Sequence, residues 1–220
     1  WHTVEMLEIE DATLCSSSSQ HHVMAGAMSR RGYYPESLRK FNQDRYCIIP
    51  SLVAFDTQKF AGGALSPDRR QRMNGNSSQW AEESAFMETS SAVLCFGVFD
   101  GHGPAGNLCS SFTCTHLPAN LKQTFADADI SLVDGGGDEW TARQRRCPKD
   151  PEKRMRFLRA YEEAFLRCNQ QLHDSEVNDN RAGTTAIIVM FWANTLQVAN
   201  VGDSRAIVCT AMSENEKYVD

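Results

Sequence analysis

The sequence predicts an α+β fold, with antiparallel strands grouped apart from helices and not a doubly wound parallel sheet. Three features carry that expectation. Residues 92–99 form a continuous apolar run bounded by glycine, which suits a strand buried on both faces. Residues 184–192 and 195–201 are two further apolar, β-branched stretches, and the pair Ala193-Asn194 between them has the spacing of a tight hairpin. Between the first run and the hairpin, apolar residues recur at helical spacings.

Taken in chain order, residues 1–24 mix acids with the serine tract Ser16-Ser17-Ser18-Ser19 and show no apolar period, so they are expected to form a mobile arm ahead of a domain over 25–220. Arg45-Tyr46-Cys47-Ile48-Ile49 reads as a short strand. Residues 55–91 are rich in Gly, Ser, Asn and Gln, a turn-forming composition, and are expected to be a surface insertion with no packed layer. Pro104 suits the first turn of a helix whose apolar positions are Leu108, Phe112, Leu117, Leu121 and Phe125, with a kink at Pro118. A second insertion is expected over 127–151, around Gly135-Gly136-Gly137. From 152 to 173, Met155, Leu158, Tyr161, Phe165, Cys168 and Leu172 recur at three and four, one apolar stripe with Arg and Glu opposite. A last strand is expected over 205–209, after the turn Gly202-Asp203-Ser204.

Composition narrows the function. A chain of 220 residues can bury a real core, and a formal net charge of -6 gives the whole molecule no electrostatic reason to sit on nucleic acid or anionic lipid. None of the eight cysteines forms a C-x-x-C pair or has zinc-finger spacing, so reduced thiols are expected. No apolar run approaches the roughly 18 residues of a membrane helix, and the first residues are not a signal peptide. A cytoplasmic or nuclear monomer is expected, and the start without Met suggests a fragment of a longer protein.

Three acidic positions could carry chemistry. Phe99-Asp100-Gly101-His102-Gly103 ends the apolar strand just before a helix, where Asp100 is well sited for a hard cation, the glycines let backbone carbonyls approach it, and His102 can move a proton near neutral pH. The same residues could equally be a capping turn with His102 in solvent. Asp44 follows Asn42-Gln43, with Arg39 nearby; the pair could be a surface ion pair, or Arg39 could clamp a phosphate while Asp44 orders water on a metal. Asp203 sits at another strand end and could belong to an ordinary turn.

In combination these motifs are more specific. Arg39 with Asn42-Gln43-Asp44, then Phe96-Gly97-Val98-Phe99-Asp100-Gly101-His102-Gly103, then Gly183-Thr184-Thr185-Ala186, then Ala199-Asn200-Val201-Gly202-Asp203-Ser204-Arg205-Ala206, resembles the metal-dependent protein serine/threonine phosphatases of type 2C in content and order. The resemblance implies a four-layer α-β-β-α sandwich of two antiparallel sheets flanked by helices. It also implies two Mn2+ or Mg2+ ions, with a third weaker position, that activate a water to hydrolyse phosphoserine and phosphothreonine in proteins. Carried over by residue, Asp100 would bridge the metals, Gly101 would offer its carbonyl, Asp44 would order water and Asp203 would face the third ion. Arg39 would bind phosphate, and His102 would protonate the departing oxygen. Many relatives carry Glu where this chain has Gln43, and the family's remaining metal aspartates lie downstream of the Gly-Asp-Ser-Arg segment with no counterpart after Thr210, so the domain is expected to be incomplete at its C-terminus. The alternatives are a type 2C-like scaffold that no longer hydrolyses phosphate and, more remotely, a subtilisin-like hydrolase, which would need a Gly-Thr-Ser motif absent here. The basic run Arg143, Arg145, Arg146, Lys149, Lys153, Arg154, Arg156 and Arg159 is either a solvated face or a docking patch for acidic substrates.

Overall fold

A computed structural model describes residues 2–8, 22–29, 41–57, 83–88, 93–130, 151–192 and 195–209. Its strands are β1 His2–Glu8, β2 His22–Ala27, β3 Asp44–Ile49, β4 Glu83–Glu88, β5 Leu94–His102, β6 Gly183–Thr184, β7 Ala186–Trp192 and β8 Thr195–Val201. Its two long helices are α1 Gly106–Asp127 and α2 Pro151–His173. The main sheet runs β1-β8-β7-β5-β3, with the short β6 paired to the end of β5, and every described pairing is antiparallel. Strands β2 and β4 form a separate two-stranded ribbon. This is the α+β class expected.

Alternation assigns the two faces of the sheet. On β5 the odd positions Cys95, Phe99 and Gly101 are buried, as are their neighbours Cys47 and Ile49 on β3 and Ile188 and Met190 on β7. These join Leu117, Leu121 and Phe125 of α1 and Phe157, Tyr161 and Cys168 of α2 in one core. The even positions Leu94, Phe96, Val98, Asp100 and His102 lie on the opposite face with Tyr46 and Ile48. There Val98 is 50% exposed, whereas Phe99 beside it is fully buried.

Several sequence expectations change. Residues 1–24 were expected to be a mobile arm, but His2–Glu8 pairs with β8 along its whole length, from His2 opposite Val201 to Glu8 opposite Thr195, covering an edge that would otherwise present unpaired amides. The polar composition of residues 55–91 hid β4, whose register opposite β2 runs from Glu83–Ala27 to Glu88–His22. Residues 205–209 are not a strand: among the described residues no neighbour pairs with them, and Ile207 is 84% exposed. Helix α1 starts at Gly106, with Pro104 ahead of the Ala105 cap, and continues through a buried Pro118 to Asp127. Leu108 and Met155, read as stripe positions, are exposed, while Cys109, Thr113, Phe157 and Ala160 are buried in their place.

The remaining hydrogen bonds tie the layers together. Tyr161 of α2 donates its hydroxyl to Gln197 Oε1 of β8 at 2.6 Å, and its ring meets Phe125 edge-on with centroids 5.1 Å apart. The six described cysteines are free, and burial holds the Cys95 and Cys168 thiols up to about 12.

Candidate active site

The motif residues converge where β3, β5, β6 and the turn after β8 meet the start of α1. Register decides the central pair: Asp44 is directly opposite Asp100, so both side chains project from the sheet face away from the helices. The next even position on β5 is His102, which is exposed and opposite Gly183. A Cβ at Gly183 would lie 2.8 Å from His102 Nε2, so the glycine makes room for the imidazole.

Gly101 is enclosed by backbone. Its N–H donates to the Gln43 carbonyl at 3.2 Å. A Cβ there would overlap the Gly106 carbonyl oxygen and sit 2.6 Å from the Gln43 oxygen. Ser110 of α1 donates to the same Gln43 carbonyl at 2.5 Å, and Gln43 Nε2 donates to the Gly103 carbonyl at 2.7 Å. That last bond explains the amide at position 43, because a carboxylate in its place has no hydrogen to donate. Arg45 is buried and fastens the other side of β3, with Nε donating to Ser111 Oγ at 2.9 Å and an Nη donating to the carbonyls of Asn42 and Asp44.

The second half of the site hangs on Thr185. The pairings Gly101–Thr184 and Val98–Ile187 leave Thr185 opposite Asp100. Its N–H donates to the Asp100 carbonyl at 2.9 Å, and its Oγ1 accepts from the Asp100 N–H at 3.1 Å. The same Oγ1 is hydrogen-bonded to Ser204 Oγ at 2.6 Å. Gly202, at φ +103°, lets the turn close over Thr185, since a Cβ there would lie 2.7 Å from the Thr185 methyl. Asp203 is thereby carried on a turn joined to the backbone of Asp100 through two hydrogen bonds that share Thr185 Oγ1.

Asp44, Asp100, Gly101 and His102 are thus brought together, with Asp203 on the adjoining turn; Arg39 lies outside the described residues. Sequence reasoning gave no role to Thr185 or Ser110, although the Gly-Thr-Thr-Ala motif was a usable signal. The donor set fits a hard divalent cation: two carboxylates on neighbouring strands beside a glycine backbone, all oxygen. Among the described residues no three His, Cys, Asp or Glu side chains cluster as ligands, so the described part of the site offers a pair and not a full cage. A cavity of about 860 Å³ lies elsewhere, between the end of α1 and the start of α2, lined by Asp127, Arg156, Arg159 and Arg167 among others. No helix among the described residues is long and apolar enough to cross a membrane.

Comparisons with known proteins agree on one family. A family model described as protein phosphatase 2C matches residues 63–217. A probable protein phosphatase 2C 35 of Arabidopsis thaliana is 34% identical over 191 residues, 87% of this chain and 37% of that protein. A probable protein phosphatase 2C 6 of the same plant is 32% identical over 148 residues, covering 59% of this chain and 30% of that protein. A probable protein phosphatase 2C 73 of Oryza sativa subsp. japonica is 25% identical over 168 residues, covering 73% of this chain and 40% of that protein. The matches therefore span well under half the length of these relatives.

Proposed function

This chain belongs to the protein phosphatase 2C family, and we propose that it is the part of a metal-dependent serine/threonine phosphatase that hydrolyses phosphoserine and phosphothreonine in proteins. The observation that carries the reading is the pairing of Asp44 with Asp100 on the sheet face opposite the helices, beside a Gly101 that accepts no side chain. Asp100 and the Gly101 carbonyl would hold a divalent metal, Mn2+ or Mg2+, with Asp44 placed to order water beside it and Asp203 to serve a further ion. When bound, such a pair of ions lowers the pKa of a water and neutralises charge on the phosphoryl oxygens.

The chain's own groups do the rest. Arg39 binds the phosphate by a bidentate fork, which fixes its orientation. His102 gives a ring proton to the seryl or threonyl oxygen as its bond to phosphorus breaks, so the alcohol leaves neutral. No side chain needs to attack phosphorus, and the buried thiols stay outside the chemistry. The apolar face that carries Tyr46, Ile48, Leu94 and Phe96 is a surface against which the second sheet of an α-β-β-α sandwich would pack.

The test is phosphate release from a phosphothreonine peptide by the full-length gene product, with Mn2+ or with chelator, beside an Asp100→Asn variant. Turnover that needs metal and disappears in Asp100→Asn supports the phosphatase. A folded, metal-supplied protein without turnover would instead make this a type 2C-like binding module.

A further inference from the structure

We propose that Thr185 is a positioning residue whose hydroxyl holds the Asp100 segment and the Asp203 turn at one fixed spacing; this rests on the phosphatase reading above. The reasoning starts from the ladder. With Thr184 opposite Gly101 and Ile187 opposite Val98, a regular sheet would have the Asp100 N–H donate to the carbonyl of Thr185. Instead the Thr185 hydroxyl takes that N–H at 3.1 Å, and the Thr185 carbonyl accepts the Thr184 hydroxyl at 2.9 Å. A side chain has replaced a backbone group in the sheet, at the residue opposite the central aspartate.

The replacement has a consequence that a regular ladder would lack. A backbone carbonyl there would point along the sheet to Asp100, whereas the hydroxyl oxygen also reaches Ser204 Oγ, 2.6 Å away. One atom therefore joins the backbone of Asp100 to the turn that carries Asp203. The methyl of the same side chain is seated where Gly202 lacks a Cβ. Thr185 is buried, so water does not compete readily for these bonds. Threonine meets both demands at once: the hydroxyl bridges, and the methyl fixes its rotamer against the turn.

The two functions of the side chain can be separated by substitution. Thr185→Val keeps the shape and removes the bridge; Thr185→Ser keeps the bridge and removes the methyl. Mn2+ affinity of the full-length gene product is measured by calorimetry, and hydrogen exchange of the Asp100 amide by NMR, for both variants and for Asp100→Asn. The expected result is a loss of about 10- to 100-fold in Mn2+ affinity in Thr185→Val, the range for residues that support metal ligands. Exchange at the Asp100 amide should quicken in the same variant, and Thr185→Ser should stay near the parent on both readouts. Thr185→Val binding Mn2+ as tightly as the parent while Asp100→Asn does not would overturn the proposal. Equal losses in the Val and Ser variants would overturn it too, by assigning the effect to packing. If Asp100→Asn itself keeps full Mn2+ affinity, the metal reading falls, and the exchange rate of the Asp100 amide in Thr185→Val still decides whether the hydroxyl holds that strand.

Discussion

The two helices share one core yet answer to different demands. Helix α2 buries Phe157, Ala160, Tyr161, Ala164, Cys168 and Leu172 and turns Arg and Glu outward, a plain amphipathic stripe. Helix α1 has a neighbour on each side, with the sheet beneath it and α2 against it, and it buries Ser110, Thr113, Asn120 and Thr124 among its apolar residues. Those polar groups have specific destinations. Ser110 donates to the Gln43 carbonyl and Asn120 Nδ2 donates to Gln171 Oε1 of α2 at 2.9 Å. The difference teaches that α2 serves the core alone, whereas the first turns of α1 also shape the site.

Substitutions should separate the two roles. The largest loss of stability is expected from Tyr161→Ala in α2, about 3–5 kcal/mol in urea unfolding, because it empties a fully buried aromatic position. It also leaves Gln197 without the Tyr161 hydroxyl at 2.6 Å. Next, Gly101→Ala should cost about 1–3 kcal/mol, since the added methyl has backbone oxygens on two sides. Unlike Tyr161→Ala, it should also abolish phosphate release in the fraction that remains folded. Ser110→Ala should cost about 1 kcal/mol in the same unfolding assay, because the Gln43 carbonyl keeps the Gly101 N–H as a second partner. A Ser110→Ala variant that loses stability but no turnover would break the distinction between the helices.

The smallest effect concerns the surface where the helices meet. The hydrogen bond from Gln123, followed by the Arg167 guanidinium 3.3 Å away, holds the exposed Asp127 carboxyl below its usual range. A lowered pKa in the fold means that the contribution is present above the ordinary carboxylate range and is lost as pH falls through the lowered value. The melting temperatures of the parent and of Asp127→Asn should therefore differ slightly near pH 7 and converge below about pH 4, the reference range for Asp. No change in phosphate release at pH 7 is expected from this variant.

Much of this was legible in the residues. The run through Phe99, the antiparallel pair β7 and β8 and the stripe of α2 are local signals that tertiary contacts reinforce. Helix α1 was legible in extent but not in facing, because a helix packed on two sides buries polar residues that find partners, and Leu108 was taken for core when Cys109 and Thr113 held that place. Strands β1, β2 and β4 were missed because each is short, mixes polar with apolar residues and pairs with a segment distant in sequence. At the site, Asp100, His102, Asp44 and Asp203 were found as motif residues. Their mutual placement came from register, and Thr185 was passed over because a hydroxyl that substitutes for a carbonyl leaves no periodic trace.

Strand β5 behaves like a reading frame. Its odd residues face the helical core and its even residues face the other side, ending in Asp100 and His102, so a single inserted or deleted residue before Asp100 would exchange the two messages. Phe99 would then be offered to water and a carboxylate to the apolar interior. Point substitutions along the strand can be weighed one at a time, but changes in its length are confined to positions beyond its ends.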